Sequence, residues 1–203
     1  MAKVISDAID QKLWEIHTAM PGEIVSYDVT TGLAEVQPLL TRTVLETGAI
    51  EPYPILADVP VQFMGPINGW LHFPLNAHDP CLLLFSERSL ENWFAQGGQQ
   101  QVTSGRVMDL TDAICIPGLR SSQQAIELNG AASSLELAFG DAWIEITNTG
   151  KFKVQNGSQS LKNILNDINS MIANCTSSPT GGPLIFTTPN PPQISGEITD
   201  LFA

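Results

Sequence analysis

The sequence predicts a mainly β protein in which a small β-barrel leads into a thin, repetitive β-stalk. Three observations predict it. Residues 21–120 hold five or six short strand patterns punctuated by Pro and Gly. Residues 126–154 repeat one short strand pattern at a nearly constant interval. Residues 3–18 and 159–174 instead space their apolar side chains at helical intervals. The changes of pattern divide the chain into an N-terminal helix (1–20), a barrel (21–120), a stalk (121–158), a short helix or coiled coil (159–175) and a Pro/Gly-rich tail (176–203).

In the first segment Ile5, Ile9, Leu13 and Ile16 recur at helical spacing beside Trp14, and the breaker Met20-Pro21-Gly22 ends the helix. This helix either packs on its own barrel or docks on a partner or neighbouring subunit. The strands that follow are Glu23–Val29, Leu33–Leu40 and Tyr53–Val61, then Gly69–Phe73, Pro80–Ser86 and Ala113–Ile116. Pro54 and Pro60 place the third at a sheet edge or in an irregular segment. The run PCLLLFS is continuous and apolar, the pattern of a strand buried on both faces. Residues 89–95 read as a short helix or turn capped by Ser89 and ended by Gly97-Gly98. Strands this short and numerous fit a small closed barrel of the OB type.

From residue 126 the strands become regular. Ile126 and Leu128; Leu135, Leu137 and Phe139; Ile144 and Ile146; and Phe152 and Val154 face one way, whereas Glu127, Glu136, Glu145, Lys151 and Lys153 face the other. The strand starts are spaced 9, 9 and 8 residues, and each strand ends at Gly or Asn-Gly. Each strand offers only two or three apolar side chains, too few to offset the ordering entropy of its residues. Such a repeat is either a meander lying on the barrel or a unit that gains its core by stacking or intertwining with copies of itself. After it, Leu161, Leu165, Ile168 and Ile172 step by 4, 3 and 4 residues, a seam of barely two heptads. A helix of that length is marginal alone and becomes stable when copies meet. The tail holds Pro179, Pro183, Pro189, Pro191 and Pro192 and is expected to be disordered or wrapped on other chains.

Composition narrows the function. The net charge of -12 argues against nucleic acid and against anionic lipid, both of which select basic surfaces. Charged residues make up 15% of the chain, below the roughly 25% of soluble domains, which suits large buried interfaces. Cys81, Cys115 and Cys175 form no CxxC and read as reduced thiols of a protein made in a cytoplasm. The first residues show no signal-peptide pattern, and no apolar run approaches the ~18 residues of a membrane span. The histidines are His17, His72 and His78; His78-Asp79 with Cys81 lacks zinc-ligand spacing, so no metal or cofactor is expected. Nucleophile-elbow, P-loop and dinucleotide motifs are missing, and no carboxylate pair stands out. The expectation is a non-enzymatic subunit. The alternatives are an OB-type module for oligosaccharide or single-stranded nucleic acid, or a cell-wall-degrading enzyme.

Four phrases carry a family resemblance: GEIVSYDVTTGLAEVQPLL, ERSLENWFAQGG (87–98), DLTDAICIPGL (109–119) and AIELNG…AWIEITNTGKFKVQNGS. Together they resemble the central spike proteins of contractile phage tail baseplates, of the Mu-like kind, over about residues 20–158. The resemblance implies an OB-fold domain leading into an intertwined trimeric β-helix. It also implies a virion location in the tail baseplate, a plug below the tail tube, contact with hub proteins through the barrel and mechanical piercing of the host outer membrane. The trimer interface would comprise Ile126, Leu128, Leu135, Leu137, Phe139, Ile144, Ile146, Phe152, Val154, Leu161, Leu165, Ile168 and Ile172. Many such spikes end in a His-x-His iron site. No His follows His78 here, so the tip is expected to be a separate protein or another packing of the tail.

Overall fold

A computed structural model describes residues 2–14, 16–44, 47–173, 175–176 and 185–186. The chain divides into two units, residues 1–125 and 126–203.

The first unit opens with α1 (Ala2–Trp14). The predicted helix ran to residue 18; the structure ends it four residues earlier and starts β1 (Ala19–Asp28) through the supposed breaker. Pro21 and Gly22 are accommodated because β1 is a sheet strand whose residues 19–23 pair with β6 (Pro80–Phe85) and whose Gly22 must be small. A Cβ on Gly22 would lie 2.9 Å from Val36 Cγ1 and 3.1 Å from both Cys81 Sγ and Leu83 Cδ1. The apolar row of α1 stays open: Ile5, Ile9, Leu13 and Trp14 are all exposed.

The remaining strands of this unit are β2 (Leu33–Pro38), β3 (Thr41–Thr43), β4 (Ile50–Pro52), β5 (Leu56–Pro60) and β7 (Ala113–Pro117). Five of the seven form one sheet in the order β5-β2-β1-β6-β7. The register shift between Ile24 and Ser26 bends β1. The sheet curls until its two edges meet: Val61 bridges Cys115 in parallel, and the Gln62 amide donates to the Cys115 carbonyl at 2.8 Å. That order with a parallel closure is a partly open Greek-key barrel of the expected OB kind. β5 is an edge strand, as its prolines predicted.

Strand alternation fills the interior with Met20, Ile24, Ala34, Val36, Leu56, Val59, Cys81, Leu83, Phe85, Ala113 and Cys115. The β6 run was predicted to be buried on both faces, but only one is: Cys81, Leu83 and Phe85 are buried, and Pro80, Leu82 and Leu84 half-buried. The expected strand Gly69–Phe73 is absent. Only the pair Met64–Leu71 bridges there, around a turn closed by the Gly69 amide on the Pro66 carbonyl. Sequence reading missed the β3–β4 hairpin because its strands have three residues each and are exposed, with no buried face to set a pattern. The helix α2 (Glu91–Gln96) has Leu90 as its N-cap and ends at Gly97. Ser89 instead accepts a 2.7 Å hydrogen bond from Arg106, whose guanidinium also meets the buried Asp112 at 3.1 Å.

In the second unit β8 (Leu135–Phe139), β9 (Ala142–Ile146) and β10 (Phe152–Gln155) form an antiparallel meander in the order β10-β9-β8. The helix α3 (Leu161–Ala173) packs on β10 and buries Ile164. Ser160 starts it by accepting from the Asn163 amide at 3.2 Å. Beyond it β11 (Cys175–Thr176) pairs with β12 (Ile185–Phe186). The rest of the predicted tail lies outside the described residues. The predicted first repeat, Ile126–Leu128, forms no strand; the other three repeats form the meander, and the single chain shows no trimeric β-helix.

Candidate subunit interface

The meander's register sorts the repeat into two faces. Leu135, Ile146 and Phe152 lie opposite one another across the three strands, and so do Leu137, Ile144 and Val154. Phe139 and Ala142 close the apolar face beside the two-residue turn. On the other face Glu136, Glu145 and Lys153 share one row, with Ala138, Trp143 and Gln155 in the next.

Exposure does not simply follow the two faces. Lys151 and Lys153 are exposed and Glu136 is half-buried. Glu145 is instead 1% exposed, whereas Leu135, Leu137, Phe139, Ile144 and Phe152 are 42–73% exposed. The cause is the segment before β8, which folds over the polar face. The amides of Asn129 and Gly130 donate to Glu136 at 3.2 and 2.8 Å. Gly130 lies close against Glu145: a Cβ would sit 2.7 Å from the Glu145 carboxyl carbon and would displace that side chain. Lys153 donates to Glu145 at 2.8 Å. Sequence alternation finds the two faces but cannot say which one the connecting segment covers.

The interface residues named from sequence therefore separate into groups. Seven stand on the open face of the meander: Leu135, Leu137, Phe139, Ile144, Ile146, Phe152 and Val154. Leu161, Leu165 and Ile168 stand on α3, Leu165 exposed and the other two half-buried. Ile126 and Leu128 are exposed in an irregular segment and belong to neither group. The side chain of Ile172 lies outside the described residues. Ile164, absent from the predicted seam, is the α3 residue that the single chain buries.

Hydrogen bonds from Lys153 and Ser134 hold the Glu145 carboxyl below its ordinary value, against the cost of burial. A carboxylate whose folded pKa is lowered contributes stability in full above its unfolded pKa, and the contribution is lost as pH falls through the folded value. Acid titration of the second unit is therefore expected to show a loss of stability below the ordinary Glu value of 4.5, read from the emission of Trp143. Lys153→Met is expected to flatten that dependence. An unchanged acid profile in Lys153→Met would show that the pair does not set it.

Other sequence-marked residues do not converge. The His78 ring nitrogen lies 2.8 Å from Glu23, whereas Cys81 sits in the barrel core. His72 joins Phe63 and Tyr27 in an aromatic cluster, and His17 lies between Tyr53 and Phe85. Burial lowers the His17 pKa, opposed by Asp109. Cys81 and Cys115 are free, buried thiols; the hydrogen bond with Cys81, together with burial, pushes the Cys115 thiol up. Among the described residues no group of three His, Cys, Asp or Glu side chains is placed to hold a metal ion, and no helix is long and apolar enough to cross a membrane.

The fold thus defines a mainly β protein, a curled OB-like half-barrel joined in sequence to a β-meander whose apolar face is exposed in the single chain. Residues 20–118 match the family model of the phage protein Gp138 N-terminal domain. The match begins at the second residue of β1 and ends one residue past β7, so it coincides with the half-barrel. It supports a phage structural protein of tail or virion type. No curated protein matches the chain.

Proposed function

We propose that this chain is the non-enzymatic central spike subunit of a contractile phage tail baseplate, acting as a homotrimer. The observation that carries the reading is the meander's apolar face: Leu135, Leu137, Phe139, Ile144 and Phe152 are exposed in the single chain, whereas Glu145 on the other face is buried. Contiguous exposed apolar surface of this kind marks an interaction site. The number three comes from the resemblance of the sequence phrases to trimeric spikes. The phage-type half-barrel is then the part that contacts the hub proteins and plugs the tube. The meander and α3 form the shaft, a separate tip protein caps it, and sheath contraction drives it through the host outer membrane. Pairing edges between copies suits a part under axial load, because an open strand edge is where a sheet frays or mispairs.

Light scattering on the purified chain at micromolar concentration tests this. The expected mass is three times the 21.9 kDa of one chain. A monomer at that concentration overturns the assembly on which the spike reading depends.

A further inference from the structure

At the β10 margin the apolar rows border α3. A groove of about 440 Å³ runs between β10 and the first turns of α3. Its apolar lining includes Phe152, Val154 and Leu165. Around it stand Lys151, Lys153 and Lys162, which are all the Lys and Arg residues of positions 122–203. Lys153 is held by Glu145. Lys151 and Lys162 have no ion pair among the described residues. Gathering every cation of an acidic unit around one apolar groove creates a local site for a segment that is both acidic and apolar.

We infer that the occupant is residues 194–203 of the same chain, ISGEITDLFA. Three observations support it. The segment carries two acids, Glu197 and Asp200, and no base, alongside Ile198, Leu201 and Phe202. From Asp167 to Glu197 the sequence has no other charged residue, so these acids are the next in sequence after α3. The reach also fits. The helix α3 has 13 residues, about 20 Å at 1.5 Å each, and β11 follows directly at its far end. Residues 187–193 (TTPNPPQ) follow β12 in sequence, and seven residues of that composition span at most about 22 Å when extended. A connection of that length is long enough for residue 194 to reach the groove. Glu197 and Asp200 then meet Lys151 and Lys162, and the apolar side chains cover Phe152, Val154 and Leu165.

This inference rests on the second unit alone and not on the trimer. It amends that reading at the β10 margin, where the tail covers three side chains and leaves Leu135, Leu137, Phe139 and Ile144 for a neighbouring copy.

Hydrogen exchange on the full chain tests it, with the double variant Lys151→Glu, Lys162→Glu as comparison. Lys153 is left intact because it holds Glu145. In the native chain the amides of 194–203 are expected to exchange at least about tenfold more slowly than in the variant, the response of a docked segment to the loss of its site. Adding Glu197→Lys and Asp200→Lys to the variant is expected to restore the protection. Equal exchange in native chain and variant, or no restoration in the charge-swapped chain, overturns the proposal. Carbodiimide coupling of Lys162 to Asp200 in mixed isotope-labelled assemblies is expected to join residues of one chain. Links found only between a labelled and an unlabelled chain overturn same-chain docking. Solution mass on the same samples separates the two readings: an unprotected tail at unchanged mass defeats the docking alone, and a protected tail on a monomer defeats the trimer alone.

Discussion

Ile144→Asp is expected to leave the chain at its monomer mass of 21.9 kDa while the meander itself still forms. Ile144 is central in β9, the middle strand, with Leu137 on one side and Val154 on the other. It is 42% exposed in the single chain, so a carboxylate there stays hydrated as long as the chain is alone. The local cost is limited to the lower strand propensity of Asp, on the order of 1 kcal/mol. Assembly changes the account. Each copy would bring one ionised group to the shared surface, and burying an unpaired carboxylate costs far more than the lost apolar contact returns. Light scattering gives the mass, and circular dichroism shows whether strand content survives. A trimer mass for Ile144→Asp would show that this face is not the contact, whatever the native mass. Thr149→Asp, in the exposed turn between β9 and β10, serves as the control and is expected to leave the mass unchanged.

The second large effect is on the barrel. Leu83→Ala is expected to destabilise the first unit by about 2–5 kcal/mol, the range for emptying a buried Leu site. Leu83 is fully buried at the centre of β6, between β1 and β7. Gly22 packs against it closely enough that a Cβ there would lie 3.1 Å from its Cδ1. The glycine has no side chain to swing into the space, so the cavity collapses poorly. For a domain of about 100 residues each kcal/mol moves the melting temperature by about 4–8 °C, and the shift is expected to exceed ten degrees or so. Thermal unfolding followed by circular dichroism measures it. Leu82→Ala and Leu84→Ala, on the half-buried face, are expected to cost clearly less. Equal losses at all three positions would mean that β6 is packed on both faces after all.

That contrast also marks where sequence reading stopped. PCLLLF is apolar at every position, so its pattern shows burial but not which face is core. The answer depends on the sheet curling around one side of β6. The Met20-Pro21-Gly22 triplet misled for a related reason. Pro and Gly break helices and weaken isolated strands, yet Gly22 is held in β1 by pairing with β6 and by a core that has no room for a side chain. Strands of three exposed residues such as β3 and β4 give no periodic signal at all.

The open face is the clearest case. By itself the sequence determined that residues 135–154 are short alternating strands with glycine-bearing turns. It also determined that one face is apolar and the other charged, because side chains alternate strictly along a strand. Only the tertiary structure decided which face each chain covers. Asn129 and Gly130 reach forward seven and six residues to Glu136, Glu145 is buried and paired with Lys153, and most of the apolar rows are left exposed. Alternation records that two faces differ. Which one meets water depends on where the connecting backbone runs, and that is set by hydrogen bonds between residues that no periodicity links.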